Sequence, residues 1–160
     1  MKRAKTKDPT GPEPAPDPEE TGEHTERAPP EVPDIGVAEI DDGHHRLITH
    51  YRTLLRIVKR DHDTHAFALM YHIFIQRMRR HFEQEDRFME EIGYDDIDHH
   101  RLLHRKLMRD AEDFLVDLIR RSDKAEAVAV TTYLKHCMIN HTTTHDRKIG
   151  EFLANRVWPS

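Results

Sequence analysis

Residues 74–104 read FIQRMRRHFEQEDRFMEEIGYDDIDHHRLLH, and this stretch decides the architecture. Up to Ile92 its apolar residues recur at three- and four-residue steps, through Phe74, Met78, Phe88 and Ile92, the stripe of a helix facing a core. Gly93 then stops the helix, and Asp95 and Asp96 are capping candidates for a second helix that starts near Ile97. So short a connection makes the two helices antiparallel neighbours. Yet the stripe carries polar residues where a core should be apolar: His81 and Glu85 late in the first helix, His100 and His104 early in the second. Each pair is spaced i, i+4, which sets two side chains over one another on one helix face.

The pattern continues in both directions. Upstream, a helix is predicted from about Gly43 to Arg60 behind Asp41 or Asp42 as N-cap, with His44, Leu47, Tyr51, Leu54 and Val58 on its seam. The second helix begins near Thr64, adding Phe67 and Tyr71 to the stripe, and the third runs to about Arg121 through Leu107, Ala111, Phe114 and Leu118. A fourth starts after Ser122-Asp123, with Glu126 completing a possible capping box, and continues to about Asn155. Its seam holds Val130, Leu134, Met138 (or Cys137), His141, His145, Ile149 and Phe152. The prediction is all-α: an antiparallel up-down-up-down four-helix bundle over residues 35–158. Residues 1–34 hold eight of the nine prolines and almost no large apolar side chain, so they are predicted to be a disordered tail, a candidate tether or docking segment for a protein partner. His24, within it, is taken as incidental.

Composition narrows the class. Charged residues make up 34 % and hydrophobic ones 36 %, and no apolar run approaches the ~18–20 residues of a membrane span. Met1-Lys2-Arg3-Ala4-Lys5 is followed by no apolar segment, so no secretory leader is expected. The single cysteine, Cys137, allows no internal disulfide and fits a reducing compartment. A net charge of −5, with no basic face interleaved with aromatics, argues against nucleic acid as partner. A soluble cytoplasmic monomer is the expectation.

Fourteen histidines are the anomaly, and the seams sort them. His45 and His99 lie about 100° off the seams of His44 and His100. His50, His62, His65, His72 and His136 fall off the seam or away from the polar level, and read as solvated. The seam residues His44, His81, Glu85, His100, His104 and His141 occupy matching heights in four antiparallel helices, and so meet at one end. Without metal each would need its own buried partner, since unpaired buried charge costs about several kcal/mol per group. Imidazole mixed with carboxylate suits iron, zinc, copper or nickel, and no thiolate at ligand spacing suggests structural zinc. The donors exceed the four one zinc would take, and carboxylates from two helices suggest bridges between two metals. Helical spacing alone selects His145 as the partner of His141. Phe82, Leu103, Met138 and Ile139 flank the level and are predicted to line a small dry pocket sized for a diatomic gas.

Ile40-Asp41-Asp42-Gly43-His44, then His81-Phe82-Glu83-Gln84-Glu85, then His100-Arg101-Leu102-Leu103-His104, then His141 followed by Asp146, resembles the hemerythrin signature over about residues 35–155. The resemblance is of bacteriohemerythrin type. It implies two iron ions (Fe2+/Fe3+) with an oxo or hydroxo bridge. His100, His104 and His141 would bind one iron, His44 and His81 the other, and Glu85 and Asp146 would bridge them. The second iron would keep an open position for dioxygen. Two ferrous ions against two carboxylates and a hydroxide leave about one positive charge in the bundle. The resemblance thus selects Asp146 over His145, an i, i+5 pairing that needs a local π-turn in the helix. It implies reversible oxygen carriage, storage, delivery or sensing by a protein that is not an enzyme. The competing classes are a di-iron enzyme reducing nitric oxide or peroxide, an iron store, and a structural bundle binding adventitious zinc. The sequence departs from the family pattern at Gly43 (commonly Gln), Asp86 (Glu), Cys137-Met138 (Trp-Leu) and Thr142 (Ile).

Overall fold

The computed structural model describes residues 32–60, 64–121 and 123–156. Nearly all the predicted tail therefore lies outside the described residues, as do His62 and residues 157–158. Four helical segments form the bundle. They are α1 (Ala38–Arg60), α2 (Thr64–Ile92), α3 (Ile97–Arg121) and a fourth made of α4 (Lys124–His141), a π-turn (Thr142–Asp146) and α5 (Arg147–Asn155). Each packs on its sequence neighbour, and α4 closes the ring against α1. Among the described residues no helix is long and apolar enough to cross a membrane.

The terminators act as the residue types dictate. Gly93 takes φ of 63°, Tyr94 N–H donates to the Met89 carbonyl (2.9 Å) and Gly93 N–H to that of Glu90 (3.1 Å). That is the double closure of a Schellman C-terminus. The Arg156 guanidinium adds a hydrogen bond to the Ile92 carbonyl. At the other connection Asp123 caps α4, its side chain accepting from Ala125 N–H at 2.9 Å.

One predicted boundary is corrected. The first helix begins at Ala38, five residues before Gly43, so neither Asp41 nor Asp42 is its N-cap. Asp41 turns outward from the helix to the chain that enters it, accepting from Ile35 N–H (2.7 Å) and Gly36 N–H (3.1 Å). Both amides precede the helix and would otherwise want partners. This pins Ile35 and Gly36 against the start of α1, and Val32 and Val37 to either side of them are buried. Gly150 lets the segment pass: a Cβ there would lie 2.0 Å from the Ile35 carbonyl oxygen.

The apolar stripes build two unequal cores. The larger joins Leu47, Tyr51, Leu54, Phe74, Met78, Leu134 and others along the shaft of the bundle. The smaller, built on Met89, Ile92, Tyr94 and Ile149, closes one end. Between the two lies the polar level.

Candidate metal centre

Every buried histidine among the described residues sits at this level: His44, His81, His100, His104 and His141. Glu85, with no exposure, and Asp146, at 1 %, join them. The π-turn brings Asp146 inward. One extra residue between His141 and Asp146 widens the helix, so that Asp146 and not His145 shares the face of His141. His145 is half-buried beside it, with its ring 5.3 Å from that of His141. The other set-aside histidines are not buried: His65, His72, His99 and His136 are exposed and His45 and His50 half-buried.

The contacts divide into two halves joined by the carboxylates. Glu85 Oε1 lies 3.2 Å from His44 Nε2 and 3.1 Å from His81 Nε2, while its Oε2 lies 3.1 Å from His104 Nε2. Asp146 reciprocates: Oδ2 is 3.1 Å from His44 Nε2, and Oδ1 is 3.2 Å from His100 Nε2 and 3.0 Å from His141 Nε2. Within one half, the Nε2 atoms of His100 and His104 are 3.0 Å apart and those of His141 and His100 3.3 Å.

Hydrogen bonding accounts for only part of these distances: His44 with Asp146 Oδ2, His100 with His104 and His141 with His100 meet its geometry. Both Glu85 oxygens and Asp146 Oδ1 are buried without a hydrogen bond, although imidazole nitrogens stand within ion-pair range. The atoms converge on common points rather than aim at one another. Donors ~2.1 Å from one ion and at right angles stand ~3 Å apart, which is the spacing seen here. The residues therefore fit a pair of metal ions. Glu85, His100, His104, His141 and Asp146 could hold one, and His44, His81 and Glu85, with Asp146 Oδ2 beside His44, the other.

In the metal-free chain the same groups neutralise each other. Burial opposes protonation of His44, but Asp146 and Glu85 against it raise its pKa to about 9. His104 is raised to about 9 in the same way, against burial, by Asp86 and Glu85. Burial and mutual repulsion push Glu85 up, yet His81, His104 and His44 hold it well below the usual carboxylate range. Asp146, likewise opposed by burial, is held low by His100, His141 and His44.

The flanking residues divide. Phe82 is buried and lies flat on the His104 ring, with centroids 3.9 Å apart and planes at 11°. Met138 is buried in the larger core with half-buried Ile139 against it. Leu103 is half-buried and faces an open cavity of about 180 Å³ that it lines with Tyr133, Cys137, His141 and His145.

Two residues that matter here escaped the sequence reading. Gly43 packs so tightly under His81 that a Cβ would lie 2.3 Å from Nδ1. Asp86 accepts from His104 Nδ1–H at 3.0 Å. In the sequence both stand out as departures from the hemerythrin pattern, and Gly43 also as the expected start of the first helix. A glycine just before a seam histidine, and a second carboxylate directly after Glu85, were the available signals.

The chain is 26 % identical over 122 residues to the bacteriohemerythrin of Campylobacter jejuni subsp. jejuni serotype O:23/36 (strain 81-176), covering 73 % of this chain and 87 % of the relative. Bacteriohemerythrins of serotypes O:6 and O:2 of that subspecies are each 25 % identical over the same shares. No protein-family model matches the chain. No solved structure matches it either.

Proposed function

Taking as premise that this chain is hemerythrin-like, we propose that it binds dioxygen reversibly at a centre of two iron ions. His100, His104 and His141 hold one ion in this reading, His44 and His81 hold the other, and Glu85 and Asp146 bridge them. The observation that carries it is the division of each carboxylate, one oxygen toward each half of the cluster. Five imidazoles with two shared carboxylates suit iron better than a lone zinc, which takes four donors. The half built on His44 and His81 has fewer protein donors, and so keeps room for an exogenous ligand.

Two ferrous ions held by these residues would supply dioxygen with two electrons and recover them on its release, the chemistry of oxygen carriage. The chain contributes a dry, charge-balanced cage. Phe82 and Met138 shield the cluster from water on the shaft side, and Met89, Tyr94 and Ile149 close the end. Among the described residues every buried histidine is in the ligand set, and the one other buried carboxylate, Asp41, is engaged by Ile35 and Gly36.

Metal content and visible spectra of protein reduced without air, then exposed to oxygen, test the reading. About two irons per chain, with an oxygen-dependent band that disappears on deoxygenation, are expected. Irreversible bleaching with turnover of nitric oxide or peroxide would move the assignment to a redox enzyme. Less than one iron per chain after reconstitution would refute the ligand set.

A further inference from the structure

The backbone of α3 delivers His104 to the cluster but does not fix its ring, because the terminal torsion of histidine is broad. Two side chains of α2 do so. The ring of Phe82 lies flat against it, and Asp86 Oδ1 accepts from its Nδ1–H at 3.0 Å. Asp86 directly follows Glu85, so adjacent residues of one helix send one carboxylate between the two halves and the other to the outer edge of a ligand. Asp86 is itself held: Arg101 Nε lies 3.5 Å from its Oδ2, and the same guanidinium pairs with Glu90. His44 and His81 have no such support, since their Nδ1 atoms are buried without a hydrogen-bond partner.

We propose that Asp86 is a positioning residue for the metal centre, fixing the ring and tautomer of His104 so that Nε2 faces the metal, and so stabilising one half of the centre selectively. The inference rests on the two-metal reading above. A carboxylate that accepts the Nδ1 proton leaves the Nε2 lone pair free and makes the ring a stronger donor. Removing such an outer partner typically costs about 10–100-fold in metal affinity. Here that loss falls on the ion held by His100, His104 and His141, and the ion held by His44 and His81 is spared.

The test uses the full chain loaded with zinc, which keeps the protein diamagnetic, and compares wild type with Asp86→Ala and Asp86→Asn. In wild type the His104 Nδ1 proton is expected to exchange slowly with water by NMR. In Asp86→Ala it exchanges freely, and one of two zinc ions leaves to a chelator about 10–100-fold faster while the other leaves at the wild-type rate. Asp86→Asn keeps an acceptor oxygen without the charge, falls between the two, and guards against a folding defect in the alanine variant. Retention of both ions at the wild-type rate in Asp86→Ala, with a protected Nδ1 proton, would overturn the positioning role and leave the metal centre standing. Wild type that loads fewer than two ions would overturn the metal reading and this inference together.

Discussion

Replacing Gly43 with alanine should empty one half of the metal centre while leaving the bundle folded. The new Cβ would lie 2.3 Å from His81 Nδ1 and 2.8 Å from its Cε1, where ordinary contact begins at 3.4 Å. The ring must therefore retreat by about 1 Å, several times the ~0.2 Å tolerance of a metal–ligand bond. His81 Nε2 now stands 3.1 Å from Glu85 Oε1, and the ring meets that of His44 edge-on at 4.7 Å, so its retreat disturbs both neighbours. Overpacking costs about 1–3 kcal/mol, and alanine returns about 1 kcal/mol of helix propensity relative to glycine. The metal-free variant should then lose no more than about 2 kcal/mol by denaturant titration. Under iron reconstitution it should hold about one ion per chain, retained by His100, His104 and His141. Two ions at wild-type retention would refute the reasoning, because His81 would have found another way to its ligand position.

Asp146→Asn should lower metal loading, whereas His145→Ala should leave two ions bound; the reverse result would return the ligand role to His145. Gly150→Ala should destabilise the chain by about 1–3 kcal/mol in denaturant titration, because the Cβ meets the backbone of Ile35 and not a yielding side chain. It should also increase hydrogen exchange at the Ile35 and Gly36 amides, and unchanged exchange would count against the docked segment. In chelator, stability should be greatest at about pH 5–6.5. His44 and His104 are raised above their ordinary value, so their contribution is complete below 6.5 and is lost as pH climbs through about 9. Glu85 and Asp146 are lowered, so theirs is present above the ordinary carboxylate range and is lost in acid. A melting temperature in chelator that is flat or rising from pH 6 to pH 9 would contradict those shifts.

The bundle and its polar level were legible because periodicity is a property of sequence. Apolar steps placed Leu54, Phe74 and Leu134 on the core, and the same ladder carried His44, His81 and His100 into it. Periodicity failed at Asp146 for a physical reason: spacing rules assume an unbroken α-helix, and the π-turn at Thr142–Asp146 violates that assumption. Only resemblance pointed there. The start of α1 was missed because Asp41 has the chemistry of a cap but spends it on amides that a linear reading does not bring near. Asp86 and Gly43 act on histidines of other helices, 18 and 38 positions away. Tertiary relations of that kind leave no periodic trace.

The π-turn also sets the phase of everything beyond it. A residue inserted into an α-helix rotates the following segment by about 100° relative to the preceding one. Before the turn the buried ladder runs through Val130, Leu134, Met138 and His141, and after it through Asp146 and Ile149. Deleting one residue from Thr142–Thr144 would restore an unbroken helix, swing Asp146 away from the cluster and carry Ile149 out of the small core together. Bridge and end-plug are thus clocked by a single extra residue, and no substitution within α5 alone could reset one without the other.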